Sequence, residues 1–294
     1  MGVRVGLLHP GNMGTALAAC LDGEVHWASD GRSQATTARA VEAGLLDVGD
    51  LASLVSVVDV VLSVCPPTAA RDVAQQVSEL GFDGLYVDLN AVAPTTAHHI
   101  GRLHVRFVDG GIIGPPPSSV DTGQPVRTRL YLSGEEAAAV AAWFAGSPVE
   151  GRVIGPNPGQ ASALKMSYAA WTKGTSALLL SVAALATSGE VIEELLDEWD
   201  MSLPELRERL EQVSSRIGEK AWRFSGEMEE IARTYAEAGL PDGFHLAAAD
   251  LYSRLTDLRD HPAGQTVDEV LKILLVDREL DEETNPTQPR ESSP

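Results

Sequence analysis

The sequence predicts an α/β domain built on a mostly parallel sheet, followed by an all-α domain. Three observations carry that expectation. Up to about residue 155, short apolar and β-branched runs alternate with helical stretches. A glycine-rich turn, GLLHPGNMG at residues 6–14, separates the first strand from the first helix. Beyond Gly159 no strand pattern recurs, and apolar residues follow helical spacing instead. A chain of 294 residues matches about two domains by size. The boundary falls in the turn-rich stretch GPNPG, which gives domains at 1–158 and 159–262. A short helix and a disordered polar tail are expected over 263–294, which ends PTQPRESSP.

Taken in order, residues 3–8 read as a strand and the stretch to residue 21 as a helix. Residues 24–28 form the next strand and 33–43 the next helix. VVDVVLSVC, residues 57–65, is a β-branched run stopped by Pro66 and Pro67, and Thr68 is placed to cap the helix that runs to residue 80. Strands follow at 85–90, 106–109, 130–133 and 149–154, with helices at 94–103 and 135–145 between them. In the second half, helices are expected at 161–187, from about 191 to 199, and at 204–217, 226–238, 244–257 and 267–275.

Composition excludes several function classes. With 22 basic and 42 acidic side chains the net charge is −20. Such a chain is repelled by phosphate backbones and anionic lipid, so neither nucleic acid nor a membrane surface is an expected partner. The two cysteines, Cys20 and Cys65, have neither disulfide-framework nor metal spacing. No metal site is expected, and a reducing, cytoplasmic setting fits. No charged and apolar leader pattern precedes the first strand.

Four motifs carry chemistry. In the first, Gly11 and Gly14 match the second and third glycines of G-x-G-x-x-G, while His9 followed by Pro10 replaces the first. This pattern, between a strand and a helix, is that of a Rossmann-type dinucleotide loop, with Asn12 and Met13 completing it. In the second, WASDGRS at the end of the second strand offers two alternatives. Asp30 suits a ribose hydroxyl, whereas Arg32, flanked by Ser29 and Ser33, suits a 2′-phosphate. The arginine and hydroxyls favour NADP over NAD. The third is the apolar helix 161–187, where Lys165 and Lys173 are the only charges. A lysine half-buried beside a cleft loses basicity and becomes useful for proton transfer; at a helix edge it simply reaches solvent. Tyr168 shares the face of Lys165, and Lys173 is rotated from it by about 80°. The fourth is DGGIIGPPPSS, residues 109–119, where paired glycines let backbone approach a ligand and the prolines act equally well as a rigid spacer.

Together these motifs resemble the β-hydroxyacid dehydrogenase superfamily, of the 3-hydroxyisobutyrate and 6-phosphogluconate dehydrogenase type. HPGNMG is similar to GLGNMG, GRS to NRT, and DLNAVAP to D-x-S-T-x-x-P. DGGIIG is similar to the family's D-A-P-V-S-G-G, and GQASALK to its G-x-x-x-x-K. The order covers residues 1 to about 187. The resemblance implies that Lys165 is the catalytic acid/base, assisted by Tyr168. It implies that Cys65 and Pro66 line the nicotinamide-side ribose, that Asn90 contacts cofactor or substrate, and that Gly111, Ile113, Gly114 and Lys173 border the substrate. There are departures. Ile113 replaces the family's serine, and Tyr168 and Ala169 stand where its asparagines orient substrate. The pattern is most similar to a subgroup with its own helical C-terminal domain, to which GLPDGFHLAAADLY, residues 239–252, also points. Imine reductases are a second relative, similar at residues 109–112, Pro116 and 131–134.

The resemblance therefore implies an NADP-dependent oxidoreductase acting on a small hydroxy acid or related carbonyl. Lys165 favours alcohol chemistry over the alternative, an imine reductase. A non-catalytic cofactor-binding module is the competing class. The apolar helix also predicts a homodimer in which helical domains cover one another.

Overall fold

The computed structural model describes residues 3–117, 128–218, 220–260 and 264–276. Eight strands form one sheet: β1 (Val5–Leu8), β2 (Val25–Trp27), β3 (Leu46–Asp47), β4 (Val60–Ser63), β5 (Leu85–Asp88), β6 (Arg106–Ile113), β7 (Thr128–Ser133) and β8 (Val149–Gly155). Their order is β3-β2-β1-β4-β5-β6-β7-β8. Every pairing is parallel except β6 with β7. β1, β4 and β5 are buried along their whole length, as strands covered on both faces must be. Successive residues feed opposite cores. Leu62 and Val87 pack with Leu7 and Trp27 on one face, and Val61 and Tyr86 pack with Leu54 and Ile100 on the other.

The covering helices are α1 (Asn12–Ala18), α2 (Gln34–Glu42), α3 (Leu51–Val57), α4 (Pro67–Glu79), α5 (Pro94–Gly101) and α6 (Ala137–Ala142). Two elements depart from the sequence reading. Residues 51–57 are a helix, capped by Asp50 accepting from the Ser53 amide (2.7 Å); the sequence reading assigns no element to 51–56 and begins the strand at Val57. The 2-residue β3 precedes it and carries too little pattern to be read. Thr68 does not cap α4; the helix begins a residue earlier at Pro67, with Pro66 in the capping position and no side-chain cap.

The helical domain comprises α7 (Gln160–Ser188), α8 (Ile192–Ser202), α9 (Glu205–Ile217), α10 (Ala221–Glu237), α11 (Gly243–Arg254) and α12 (Val267–Leu275). The predicted bounds of α12 hold to the residue, but the helix is not a satellite of the tail. Val270, Leu271 and Leu274 are buried in the same core as Met166, Leu180, Ile231 and Tyr252 of α7, α10 and α11. The helical domain therefore extends past residue 262. The tail for which disorder is expected lies outside the described residues, as do Ser118 and Ser119 of the proline-rich segment. α7 is long and apolar enough to cross a membrane by length and composition. It is instead packed against β6, α10 and α11 as a core helix.

Two of the contacts that fix the helical domain on the sheet involve α5. The Glu230 carboxylate of α10 accepts from the Ala93 amide (2.7 Å) and the Thr96 hydroxyl (3.0 Å), closing the open end of α5. At the junction Gly159 has φ 95°, and a Cβ there would stand 2.6 Å from the His98 ring, which itself contacts the Pro158 carbonyl. Only glycine fits.

Candidate active site

The sheet order reverses between β1 and β4, and the crevice outside their C-terminal ends is where open α/β sheets bind ligands. The β1–α1 loop occupies that crevice. His9 adopts φ 62°, the left-handed conformation usually left to glycine. A Cβ at Gly14 would lie 3.2 Å from the His9 carbonyl oxygen and 3.4 Å from Leu7, so the helix packs closely on the loop and a side chain there would press on the His9 carbonyl. A Cβ at Gly11 would meet nothing but the His9 carbonyl oxygen, at 3.9 Å, so the space above the loop is open to a ligand. The loop thus fits a pyrophosphate. Burial, and then the charge of Arg32, lowers the His9 pKa to about 4, so its ring is neutral, and its Nδ1 is buried without a partner.

Around this loop the predicted residues separate into open and engaged groups. Arg32 is exposed and, among the described residues, has no ion pair. Ser33 is the N-cap of α2, its hydroxyl accepting from the Thr36 amide (3.3 Å). Ser29 lies against Asp47, where after the Gly49 amide it helps hold that carboxyl below its usual range. Asn90 is 2% exposed and sits beneath the end of β4. Its Oδ1 accepts from the Cys65 amide (2.6 Å) and its Nδ2 donates to the Ser63 hydroxyl (2.9 Å). Its side chain sets the Cys65–Pro66 turn rather than facing the crevice. Burial pushes the Cys65 thiol up to about 12, so it is an unionised wall.

The second half of the site is built by β6 and α7. Asp109 on β6 accepts from the Ser133 hydroxyl (2.9 Å), the Gly159 amide (2.8 Å), and both the amide (3.0 Å) and hydroxyl (2.5 Å) of Ser162. A carboxylate at the first turn of α7 is favoured by the helix dipole. One turn on, Lys165 Nζ donates to the Ile112 carbonyl oxygen (2.8 Å). Gly111 does not open the strand to a ligand as expected. A Cβ there would stand 2.9 Å from Lys165 Cβ and 3.0 Å from the Ala161 carbonyl, so this glycine lets α7 close on β6. Ile113 is buried, and Gly114 turns the chain out with φ 124°.

Lys173 pairs with Glu227 of α10 (2.8 Å), the two side chains being 12% and 7% exposed. Arg223 reaches the same carboxylate (3.3 Å), and Lys173 lies 4.9 Å above the Phe224 ring. Burial lowers the Lys165 pKa to about 8, with Lys173 and Arg223 lowering it and Glu227 raising it. Burial raises Glu227, but Lys173, Lys165 and Arg223 outweigh it and hold the carboxyl below its usual range. Arg223 and Glu227 were not legible beside Lys165 in the sequence, because α10 brings them in from about 60 residues away. The one local signal is their i, i+4 spacing. Tyr168 does not join this cluster. It is 46% exposed on an outer face of α7, along with Leu164, Trp171, Leu178 and Leu185.

The Uncharacterized 28.5 kDa protein in 7S RNA 5'region of Methanothermus fervidus is 33% identical to this chain over 201 residues, 66% of this chain and 75% of that protein. The chain belongs to the family of that protein. A family profile described as Domain of unknown function (DUF1932) matches residues 186–255, within the helical domain. Among solved structures, the conserved protein MTH1747 of unknown function, described as structurally similar to 3-hydroxyacid dehydrogenases, is 28% identical. It matches with a TM-score of 0.61 over 87% of this chain and 98% of its own. Mycobacterium tuberculosis 3-hydroxyisobutyrate dehydrogenase with L-serine has a TM-score of 0.63 at 16% identity, over 94% and 100%. A reductive aminase from Aspergillus terreus, in complex with NADPH and ethyl levulinate, has a TM-score of 0.52 at 18% identity, over 92% and 99%. The fold is that of the 3-hydroxyacid dehydrogenases, with imine-converting enzymes as more distant neighbours.

Proposed function

We propose that this protein is an NADP-dependent oxidoreductase that interconverts a small hydroxy acid, or a related secondary alcohol, and its carbonyl. The observation that carries the reading is Lys165: a half-buried amine with pKa about 8, fixed over β6 at the junction of the two domains. That pKa lies near working pH, where one group both accepts and returns a proton. A bound nicotinamide supplies or accepts the hydride. Lys165 takes the hydroxyl proton as the alcohol is oxidised and returns it when the carbonyl is reduced. Lys173 and Arg223 surround Glu227 with more positive than negative charge, which attracts a substrate carboxylate. Gly11, Gly14 and the neighbouring loop residues hold the pyrophosphate, and the free Arg32 meets a 2′-phosphate. The NADPH bound by the fungal reductive aminase fits the same cofactor class.

The exposed stripe Leu164, Tyr168, Trp171, Leu178 and Leu185 along α7 favours a homodimer, each copy covering the other's helix. Tyr168 then reaches a site only across that interface.

The test is titration with NADPH and NADH, then a screen of hydroxy acids and cyclic imines. NADPH is expected to bind more tightly, with turnover on hydroxy acids. Lys165→Ala is expected to lose about 10²–10⁴ in rate while keeping cofactor affinity. Full activity in that variant, or no binding of either nucleotide, ends the reading.

A further inference from the structure

A second anion site lies in the helical domain, on the far side of Phe224 from the Lys173–Glu227–Arg223 cluster. Between α7, α9 and the start of α10 is a cavity of about 250 Å³, lined by Ser176, Arg209, Gln212, Arg216 and Lys220 over Val213, Ile217 and Phe224. Three cations converge there in a chain whose net charge is −20. Among the described residues none of the three is in an ion pair, whereas Arg207 on the same helix pairs with Asp197 and Asp200. Arg209 and Arg216 are seven residues apart, so they project from one face of α9. Arg209 is held in place by donating to the Thr175 hydroxyl, which itself donates to the Trp171 carbonyl oxygen (2.7 Å). The Gln212 side-chain amide donates to Glu208 (2.8 Å).

Like charges gathered around one cavity repel one another, and a bound anion neutralises them. Two guanidinium groups and an ammonium match phosphate oxygens in both charge and hydrogen-bond geometry. We infer that this cavity is a binding site for a small phosphorylated metabolite whose apolar part rests on Val213, Ile217 and Phe224. The volume is below that of ordinary drug-sized pockets and suits a small ligand. Ser176 lies 11 residues beyond Lys165 on α7, about 16 Å along the helix axis, so the site is separate from the proton-transfer group.

The test is calorimetric titration of the full chain with inorganic phosphate, with phenyl phosphate and with citrate. The variants are Arg216→Gln, an exposed position whose change leaves the fold intact, and Arg32→Ala in the nucleotide loop. Arg216→Gln is expected to weaken binding at least about tenfold, and Arg209→Gln to add to the loss, with Arg32→Ala leaving it unchanged. Raising salt should weaken binding as expected for an ionic contact. Phenyl phosphate should bind more tightly than inorganic phosphate because of the apolar floor. Binding lost with Arg32→Ala but kept in Arg216→Gln assigns the phosphate to the nucleotide loop and overturns the inference. So does the absence of any binding, or equal binding of citrate and phenyl phosphate. Because the Arg32 site is scored separately, failure here leaves the cofactor reading standing, and the converse also holds.

Discussion

The carboxylate of Asp109 on β6 accepts both the backbone amide and the hydroxyl of Ser162 on α7, at 3.0 and 2.5 Å. With Ser133 and Gly159 donating to the same side chain, Asp109 is the point at which the sheet holds the helix that carries Lys165. Asp109→Asn keeps the shape but replaces one acceptor oxygen with a donor facing donors. The expected cost is about 2–3 kcal/mol, as for other buried hydrogen bonds to charged groups. The expected second effect is faster chemical modification of Lys165 as its anchor loosens. Urea melts and mass-spectrometric lysine labelling measure the two; unchanged values in both refute the role.

The pH dependence of turnover follows from Lys165. Its neutral form accepts a proton, so alcohol oxidation should rise with pH through about 8. Its charged form donates one, so carbonyl reduction should fall over the same range. The charged groups facing it are Lys173 on its own helix and Glu227 and Arg223 on α10. Glu227 raises the Lys165 pKa, so Glu227→Gln should move both limbs to lower pH. Lys173→Met removes a like charge and should move them higher. Rate profiles of the three proteins check the signs, and shifts in a common direction would remove Glu227 as a positioning residue.

The sequence was informative where one physical constraint acts locally. β1, β4 and β5 are read easily because burial on both faces forces continuous apolar runs, and Gly14 because its helix packs closely on the loop. α12 is bounded correctly because Thr266 and Glu269 form a capping box. Legibility failed where long-range packing decides. α3 is short, at 7 residues, and its pattern is too brief to read before Asp50 caps it. Gly111 looks like ligand space from its neighbours, and only the position of α7 shows that it accommodates Lys165. Glu227 reads as one acid in an acidic helix until folding buries it against Lys173.

Asp88 makes stability pH-dependent in an unusual direction. It is 1% exposed, its Oδ1 accepts from the Asn90 amide (2.8 Å), and its Oδ2 has no partner. Burial, opposed by that amide and reinforced by Asp109, pushes its pKa up to about 7. In the unfolded chain an aspartate titrates near ~4, so between ~4 and about 7 the folded state holds a proton that the unfolded state has lost. Stability from this group is therefore present at low pH and declines as pH rises, by at most about 1.4 kcal/mol per unit. Asp88→Asn keeps the amide contact and removes the ionisation. Its melting temperature relative to the parent protein should climb between pH 5 and pH 8. A difference independent of pH would show that Asp88 does not titrate there.

The outer face of α7 yields the last prediction. Trp171 and Leu185 are 69% and 74% exposed and lie fourteen residues apart, so they mark one stripe along the helix. A tryptophan and several leucines in line are costly to leave in water, at roughly 25 cal/mol per Å² of apolar surface. In a homodimer a second copy covers them, and the species in solution should sediment at twice the chain mass of 31.2 kDa. Leu185→Glu places a charge at the C-terminal end of that stripe, far from Lys165 and from the nucleotide loop. It should yield a folded monomer with unchanged helical content, because the position makes little contact within its own chain. If the stripe also completes the site by bringing Tyr168 across the interface, that monomer should lose turnover while retaining NADPH. A parent protein that sediments as a monomer at micromolar concentration would refute both steps, whereas an active monomer from Leu185→Glu would refute only the second.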